Sequence, residues 1–324
     1  MNLLILGGTG FVGSALCERL VAHFGGAGAR IVVPSRRPQR AAHLRTLPTV
    51  ELVQADVHDE AQLARLMAGC DAVVNLVAIL HGDVAAFHRA HVALPQKIAR
   101  ACAVTGVRRL VQVSALGVSD DAAALPSNYL RSKAEGEAVL RAAAAAGTLD
   151  LTVLRPSVIF GARDRFMNVF AQLQRLAPIV PLAGAGAQFQ PVWVEDVAEA
   201  ITRCLLDPAT AGQTYECAGP AVYTLADLVL LAGRWSGHPR WVLAIPDALG
   251  RLQARLMGLM PGEPLMSPDN LDSMSVPNVA TGRLPGLDAL GIAAADIKGI
   301  VPGYLGALDG ATRMEAWRAL AGRA

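Results

Sequence analysis

An apolar run at Met1–Leu6 passes directly into Gly7-Gly8-Thr9-Gly10-Phe11-Val12-Gly13, and a helical pattern begins at once with Ser14-Ala15-Leu16-Cys17-Glu18-Arg19-Leu20. The first run is too short for a helix and reads as a strand. A turn joining strand to helix with glycine at 7, 10 and 13 has three uses for that residue: a positive φ, close approach of backbone to phosphate oxygens, and tight packing of the helix on the strand. The helix start then offers unpaired N–H groups and its positive dipole end to a pyrophosphate. Gly7, Thr9, Gly10, Phe11, Val12 and Gly13 are therefore candidate nucleotide-binding residues.

The strand–turn–helix order recurs. Apolar, β-rich runs at Leu3–Leu6, Arg30–Val33, Val50–Gln54, Ala72–Val77, Arg109–Ser114 and Leu151–Arg155 alternate with helical patterns at Val12–Phe24, Glu60–Met67, Val84–Thr105 and Tyr129–Ala146. Continuous apolar strands separated by helices predict a parallel sheet covered on both faces, built with right-handed crossovers. The expected fold is α/β, a doubly wound Rossmann sheet. After residue 156 the rhythm breaks into Pro- and Gly-rich pieces, which predicts a Rossmann domain over 1–160 and a smaller, discontinuous substrate or partner region over 161–324. A late strand at Thr214–Cys217 is expected to return to the main sheet.

Composition narrows the class. The chain has 324 residues, is 53% hydrophobic and carries a formal net charge of +2 from bases and acids spread along its length, so a nucleic-acid surface is not expected. Cys17, Cys70, Cys102, Cys204 and Cys217 stand singly, mostly in apolar runs, as core thiols of a reducing cytoplasm do. His88 and His91 share a helix without a ligand set around them and read as a solvated face, so no metal site is expected. No signal peptide and no transmembrane segment are expected, and membrane association would be peripheral.

The cofactor reading turns on the end of the second strand, Pro34-Ser35-Arg36-Arg37. A site preferring NAD places Asp or Glu there for the ribose 2′-hydroxyl, whereas an arginine pair suits a 2′-phosphate. A charge-assisted Arg–phosphate bond contributes roughly 1.5–3 kcal/mol, so Ser35, Arg36 and Arg37 favour NADP (NADPH) over NAD. Asp56 and Val57, after the third strand, fall at the adenine position, although Asp56 has the alternative role of a helix cap. Asn75-Leu76-Val77-Ala78 ends the fourth strand under the cofactor, with Ala78 the contact residue. Tyr129 and Lys133 are spaced to share one helical face, where the ammonium can depress the phenol pKa and hold the cofactor ribose.

With these stretches in view, the chain resembles the short-chain dehydrogenase/reductases of extended or atypical type. More narrowly, it is similar to the nucleotide-binding accessory subunits of respiratory complex I and their bacterial relatives. The resemblance rests on Gly7–Gly13, Ile31–Arg36, Tyr129–Glu137, Arg155–Gly161, Asp164–Asn168, Gln190–Val197 and Leu284–Leu287. It implies NADPH at the glycine turn and Arg36, a reductase pair in Tyr129 and Lys133, and a nicotinamide contact at Pro156 and Ser157. The resemblance also implies a place beside a membrane complex, with a quinone or another apolar small molecule as substrate if the protein is a catalyst. One position departs: reductases of this kind end the fifth strand with two hydroxyl residues, and Ala115 stands where the second belongs. Ser114 lies one place early and Ser119 beyond it, so Ser114 is the candidate third catalytic residue with its orientation open.

Two features of the C-terminal third remain open. Leu249, Leu252, Leu256 and Leu259 form a stripe on an expected helix over Asp247–Met260, with Arg251 and Arg255 on another face. Such a stripe is core, or it is a face for anionic lipid or an isoprenoid tail. Asp164-Arg165-Phe166 is a surface turn or a loop ordered over the cofactor. Function stands between an NADP(H)-binding accessory protein whose nucleotide is structural or regulatory and an NADPH-dependent reductase with Tyr129 as general acid.

Overall fold

The computed structural model describes residues 1–257 and 266–306. They pack as two compact units. The first comprises Met1–Pro156, Val194–Cys217 and Ala280–Ala293. Its strands are β1 (Asn2–Leu6), β2 (Arg30–Ser35), β3 (Val50–Gln54), β4 (Ala72–Asn75), β5 (Arg109–Val113) and β6 (Asp150–Pro156), completed by the strand Thr214–Cys217. The seven lie in the order Thr214–Cys217, β6, β5, β4, β1, β2, β3, and every neighbouring pair is parallel. The strand order reverses between β1 and β4, where Leu6 aligns with Asn75. This is the topological switch point outside which ligands of doubly wound sheets bind.

Both faces of the sheet are covered at its centre, which is why β1 and β4 are apolar and buried, whereas β3 at the edge carries Glu51 and Gln54. On one side α2 (Glu60–Met67), α4 (Leu94–Thr105) and α5 (Asn128–Ala145) bury Leu63, Met67, Ile98 and Leu140 against Leu4, Leu6, Val73, Leu110 and Val153. On the other, α1 (Phe11–His23) packs along the helix Val194–Leu206, and Arg19 reaches Glu195 and Glu199 at 3.6 and 3.7 Å. Leu3, Leu4, Ile5 and Leu6 are wholly inaccessible to solvent.

One expected helix is divided. Val84–Thr105 consists of α3 (Val84–His88), a π turn at Arg89–Ala93, and α4. Pro95 has no N–H to donate to the His91 carbonyl four residues back, and its ring crowds that position, so the helix widens there. Gly136 of α5 occupies the space beside that carbonyl, since a Cβ on it would lie 1.9 Å from the His91 oxygen.

The second unit comprises Ser157–Trp193, Ala218–Val279 and the chain from Ala294. Its short sheets pair Ile159–Phe160 with Val192–Trp193, Gln188–Phe189 with Tyr223–Thr224, and Ile179–Leu182 with Trp241–Ala244. They enclose a core of Phe160, Met167, Leu225, Leu228, Val229, Val301 and Leu305. Asp164 is no surface turn: it is buried and accepts hydrogen bonds from the N–H groups of Gly161, Phe166 and Asn168 and from the Tyr304 hydroxyl at 2.8–3.0 Å. The core reading of the late leucine stripe is also overturned. In the helix Asp247–Met257 the buried residues are Gly250 and Ala254, whereas Leu249, Leu252 and Leu256 are exposed. The small face wins because it lets the helix approach Ala183 closely, a Cβ at Gly250 falling 2.4 Å from the Ala183 Cβ. Leu259 and Met260 lie outside the described residues.

Among the described residues, no helix is long and apolar enough to cross a membrane. Among the same residues, no cluster of His, Cys, Asp or Glu could hold a metal ion.

Candidate functional site

The glycine turn stands at the carboxyl end of β1. Gly7 has φ +81° and lies so close to the Leu76–Val77 peptide that a Cβ would meet its carbon at 3.0 Å. Gly13 is constrained from the other side, as a Cβ there would fall 2.5 Å from the Gly7 oxygen. The turn is therefore closed tightly on the helix behind it. Gly10 is the N-cap of α1, and no side chain caps this helix start. The donors at the start of α1 are thus left to whatever anion approaches, while Ser14 donates back to the Gly10 carbonyl at 2.8 Å.

At the end of β2, Ser35 accepts from the Arg37 N–H at 3.2 Å, and Arg36 and Arg37 are both exposed. Neither makes an ion pair among the described residues, and no acid stands at this strand end. After β3, the Asp56 carboxylate accepts from the His58 N–H at 3.0 Å and its own N–H is held by Gln62. Asp59, rather than Asp56, caps α2 through the Gln62 N–H. Val57 packs partly into the core beside the strand. Past β4, Asn75 is fixed by Gln112 and the Val77 N–H, and Ala78 is exposed.

Beyond β5, α5 begins at a buried N-cap, Ser127, and carries Tyr129 and Lys133. The Lys133 ammonium is buried, donates to the Val113 carbonyl at 3.2 Å, and lies 6.0 Å from the centre of the Tyr129 ring. Burial holds its pKa down to about 8 against the opposing pull of Glu137. The expected depression of the Tyr129 pKa is not found. Burial pushes it up to about 12, because taking a phenolate out of water costs more than a lysine at this distance returns.

His91 corrects the expectation of a solvated histidine face. His88 is exposed, but His91 is buried, its ring packed edge-on against Tyr129 at 5.5 Å. Its Nε2 accepts from the Ile79 N–H at 3.1 Å, so Nδ1 carries the proton and donates to the Ser132 hydroxyl at 2.9 Å. Ser132 in turn donates to the Tyr129 carbonyl at 2.9 Å. Burial and then Lys133 lower the imidazole pKa to about 2. This network ties the loop after β4 to the first turn of α5. The only local sign of it in the sequence is His91 standing four residues before Pro95.

Around the departure at Ala115, both Ala115 and Ser114 are buried, and the Ser114 hydroxyl has no hydrogen-bond partner. Ser119 is exposed and donates to the Asp121 carbonyl at 3.2 Å. Pro156 closes β6, aligned with Cys217. Ser157 belongs to the second unit, where its hydroxyl donates to Asn278 at 2.7 Å. The first unit thus gathers an anion-ready helix start, an arginine pair at one strand end, and a tyrosine and lysine on one helical face.

A model of the NAD dependent epimerase/dehydratase family matches residues 3–218, and the chain belongs to that family. It is 31% identical over 298 residues to the mitochondrial NADH dehydrogenase (ubiquinone) 1 alpha subcomplex subunit 9 of Mus musculus, spanning 89% of this chain and 75% of that protein. To the mitochondrial NADH-ubiquinone oxidoreductase 40 kDa subunit of Neurospora crassa it is 26% identical over 305 residues, 93% and 78% of the two chains. Among solved structures it is similar to the dTDP-glucose 4,6-dehydratase DesIV of Streptomyces venezuelae with NAD and TYD bound. That likeness has a TM-score of 0.66 and 25% identity, covering 76% of this chain and 85% of that one. The resemblance to extended reductases and complex I accessory subunits stands on these matches.

Proposed function

We propose that the chain binds NADP(H) at the carboxyl ends of β1 and β2 and acts as a nucleotide-binding accessory protein of the complex I type, the nucleotide serving a structural or regulatory role. One observation carries this reading: an uncapped helix start behind the closed glycine turn, with two exposed arginines and no carboxylate at the adjacent strand end. Gly7, Thr9, Gly10, Phe11, Val12 and Gly13 would receive the pyrophosphate, and Ser35, Arg36 and Arg37 the 2′-phosphate. Asp56 and Val57 would border the adenine, and Ala78 and Lys133 the nicotinamide ribose. Pro156 and Ser157 are assigned through the family resemblance. Association with a respiratory complex, or peripherally with a membrane, is part of this reading, and the likeness to the mouse and Neurospora subunits supports the first.

A second reading, an NADPH-dependent reductase of a quinone or other apolar carbonyl, has an observation of its own. Tyr129 and Lys133 share one face of α5 with the ammonium 6.0 Å from the ring centre, although burial raises the phenol pKa to about 12 and so weakens it as an acid. A bound nicotinamide would supply the hydride. Ala115 and the unpartnered Ser114 hydroxyl weigh toward the accessory role, since the hydroxyl that orients a carbonyl is missing from its place.

Titration with NADPH and NADH separates these claims. Arg36→Ala is expected to weaken NADPH binding roughly ten- to a hundredfold while sparing NADH, and equal losses for both would remove the 2′-phosphate assignment. Tight NADPH binding with no turnover of quinones or apolar ketones is the expected outcome for an accessory protein. Turnover abolished by Tyr129→Phe would replace that reading with the reductase.

A further inference from the structure

Among the described residues, the second unit has an apolar face that its own core does not cover. Ile179–Leu182 and Trp241–Ala244 pair so that Trp241 aligns with Ile179 and Leu243 with Pro181. Alternation sends Val180 and Leu182 into the core and leaves Ile179, Leu243 and Trp241 outside, 51%, 58% and 83% exposed. A sheet with one solvated face normally turns polar residues outward, and this one is apolar on both. Leu176, just ahead of the first strand, is 85% exposed. The helix Asp247–Met257 follows the second strand closely, and Leu249, Leu252 and Leu256 share the side turned away from its packed Gly250–Ala254 face.

Arginines outnumber acids in the segments that carry this face: between residues 225 and 257 stand Arg234, Arg240, Arg251 and Arg255 against Asp227 and Asp247. Asp247 and Asp272 occupy Arg251 at 2.7 and 2.8 Å. Arg240 is steadied through its Nε on the Gln174 carbonyl at 2.9 Å, and helical spacing sets Arg255 at the flank of the leucines. Beside Trp241, a groove of about 390 Å³ is lined by Ala226, Leu230, Val242 and Ala244, with Arg240 among its walls.

We propose that this face seats on an anionic lipid bilayer. Single apolar side chains projecting from a strand pair and a helix can enter between headgroups, and the amphipathic indole of Trp241 suits the interfacial layer. The arginines would meet lipid phosphates, each adding about fivefold to partitioning. A second copy is the poorer occupant, because a two-fold contact through this face would gather the arginines of both copies into one interface. The inference does not depend on the nucleotide reading.

The full chain is tested by co-flotation with vesicles of phosphatidylcholine alone and of phosphatidylcholine mixed with phosphatidylglycerol. Binding to the mixed vesicles, weakened by salt, is expected. Arg240→Glu with Arg255→Glu should reduce it at least tenfold. Trp241→Ser with Leu243→Ser, and separately Leu252→Ser with Leu256→Ser, should abolish it without shifting thermal unfolding, as these side chains are exposed. No binding to either vesicle, or equal binding to both, would overturn the proposal. So would a dimer in light scattering that the Trp241 variant dissolves while lipid binding is unchanged.

Discussion

His91 shows what one buried side chain contributes here. Both ring nitrogens are engaged, one accepting from Ile79 and one donating to Ser132, which fixes the tautomer and leaves no room for a second proton. The unfolded chain takes up that proton below the ordinary histidine pKa of 6.5, whereas the folded chain resists it down to about 2. Stability is therefore lost as pH falls, by about 1.4 kcal/mol for each pH unit below 6.5 that this group controls. Denaturant unfolding of His91→Gln, less stable at neutral pH, is expected to show a flatter acid limb than the parent; parallel limbs would mean that another group controls the slope. Lys133 acts at the other end of the scale. Its ammonium loses a proton as pH rises through about 8, so NADPH affinity should fall between neutral pH and about pH 9, and Lys133→Arg should remove that dependence.

Among the elements, the π turn before α4 is held open by a missing N–H at Pro95 and a missing side chain at Gly136. Gly136→Ala would drive a methyl into the His91 carbonyl, and a cost of about 1–3 kcal/mol is expected in denaturant unfolding. An unchanged midpoint would show that α5 can move aside. The same elements show what the sequence could disclose. The strands of the main sheet and the helix Glu60–Met67 were legible because buried parallel strands and amphipathic helices write their periods locally. The glycine turn was legible because its backbone demands few other residues. The π turn was not, since it depends on Gly136 meeting His91 from a distant helix. The leucine stripe misled for a related reason: hydrophobicity favoured burying Leu249 and Leu252, but close approach through Gly250 and Ala254 decided the packing. At the candidate site, spacing placed Tyr129 and Lys133 on one helix face but could not disclose that burial would dominate the phenol.

At the scale of the whole molecule, a nucleotide held as proposed would stabilise the first unit by mass action, about 2.7 kcal/mol at a hundredfold excess over Kd. Hydrogen exchange with saturating NADPH should slow at 7–13, 35–37 and 129–133, and protection absent from 7–13 would remove the glycine turn from the site. That unit also depends on a stretch of chain far from its main body. The edge strand Thr214–Cys217 is covered where the Glu216 N–H donates to the Pro285 carbonyl and its carboxylate accepts from the Thr281 N–H, the Thr281 hydroxyl and the Gly282 N–H. A fragment cut after residue 218, where the family match ends, would keep all seven strands yet leave the Glu216 N–H and its buried carboxylate without these partners at an open sheet edge. It should self-associate in light scattering where the full chain does not. The stretch of chain that completes this sheet is therefore longer than the segment that matches the family model.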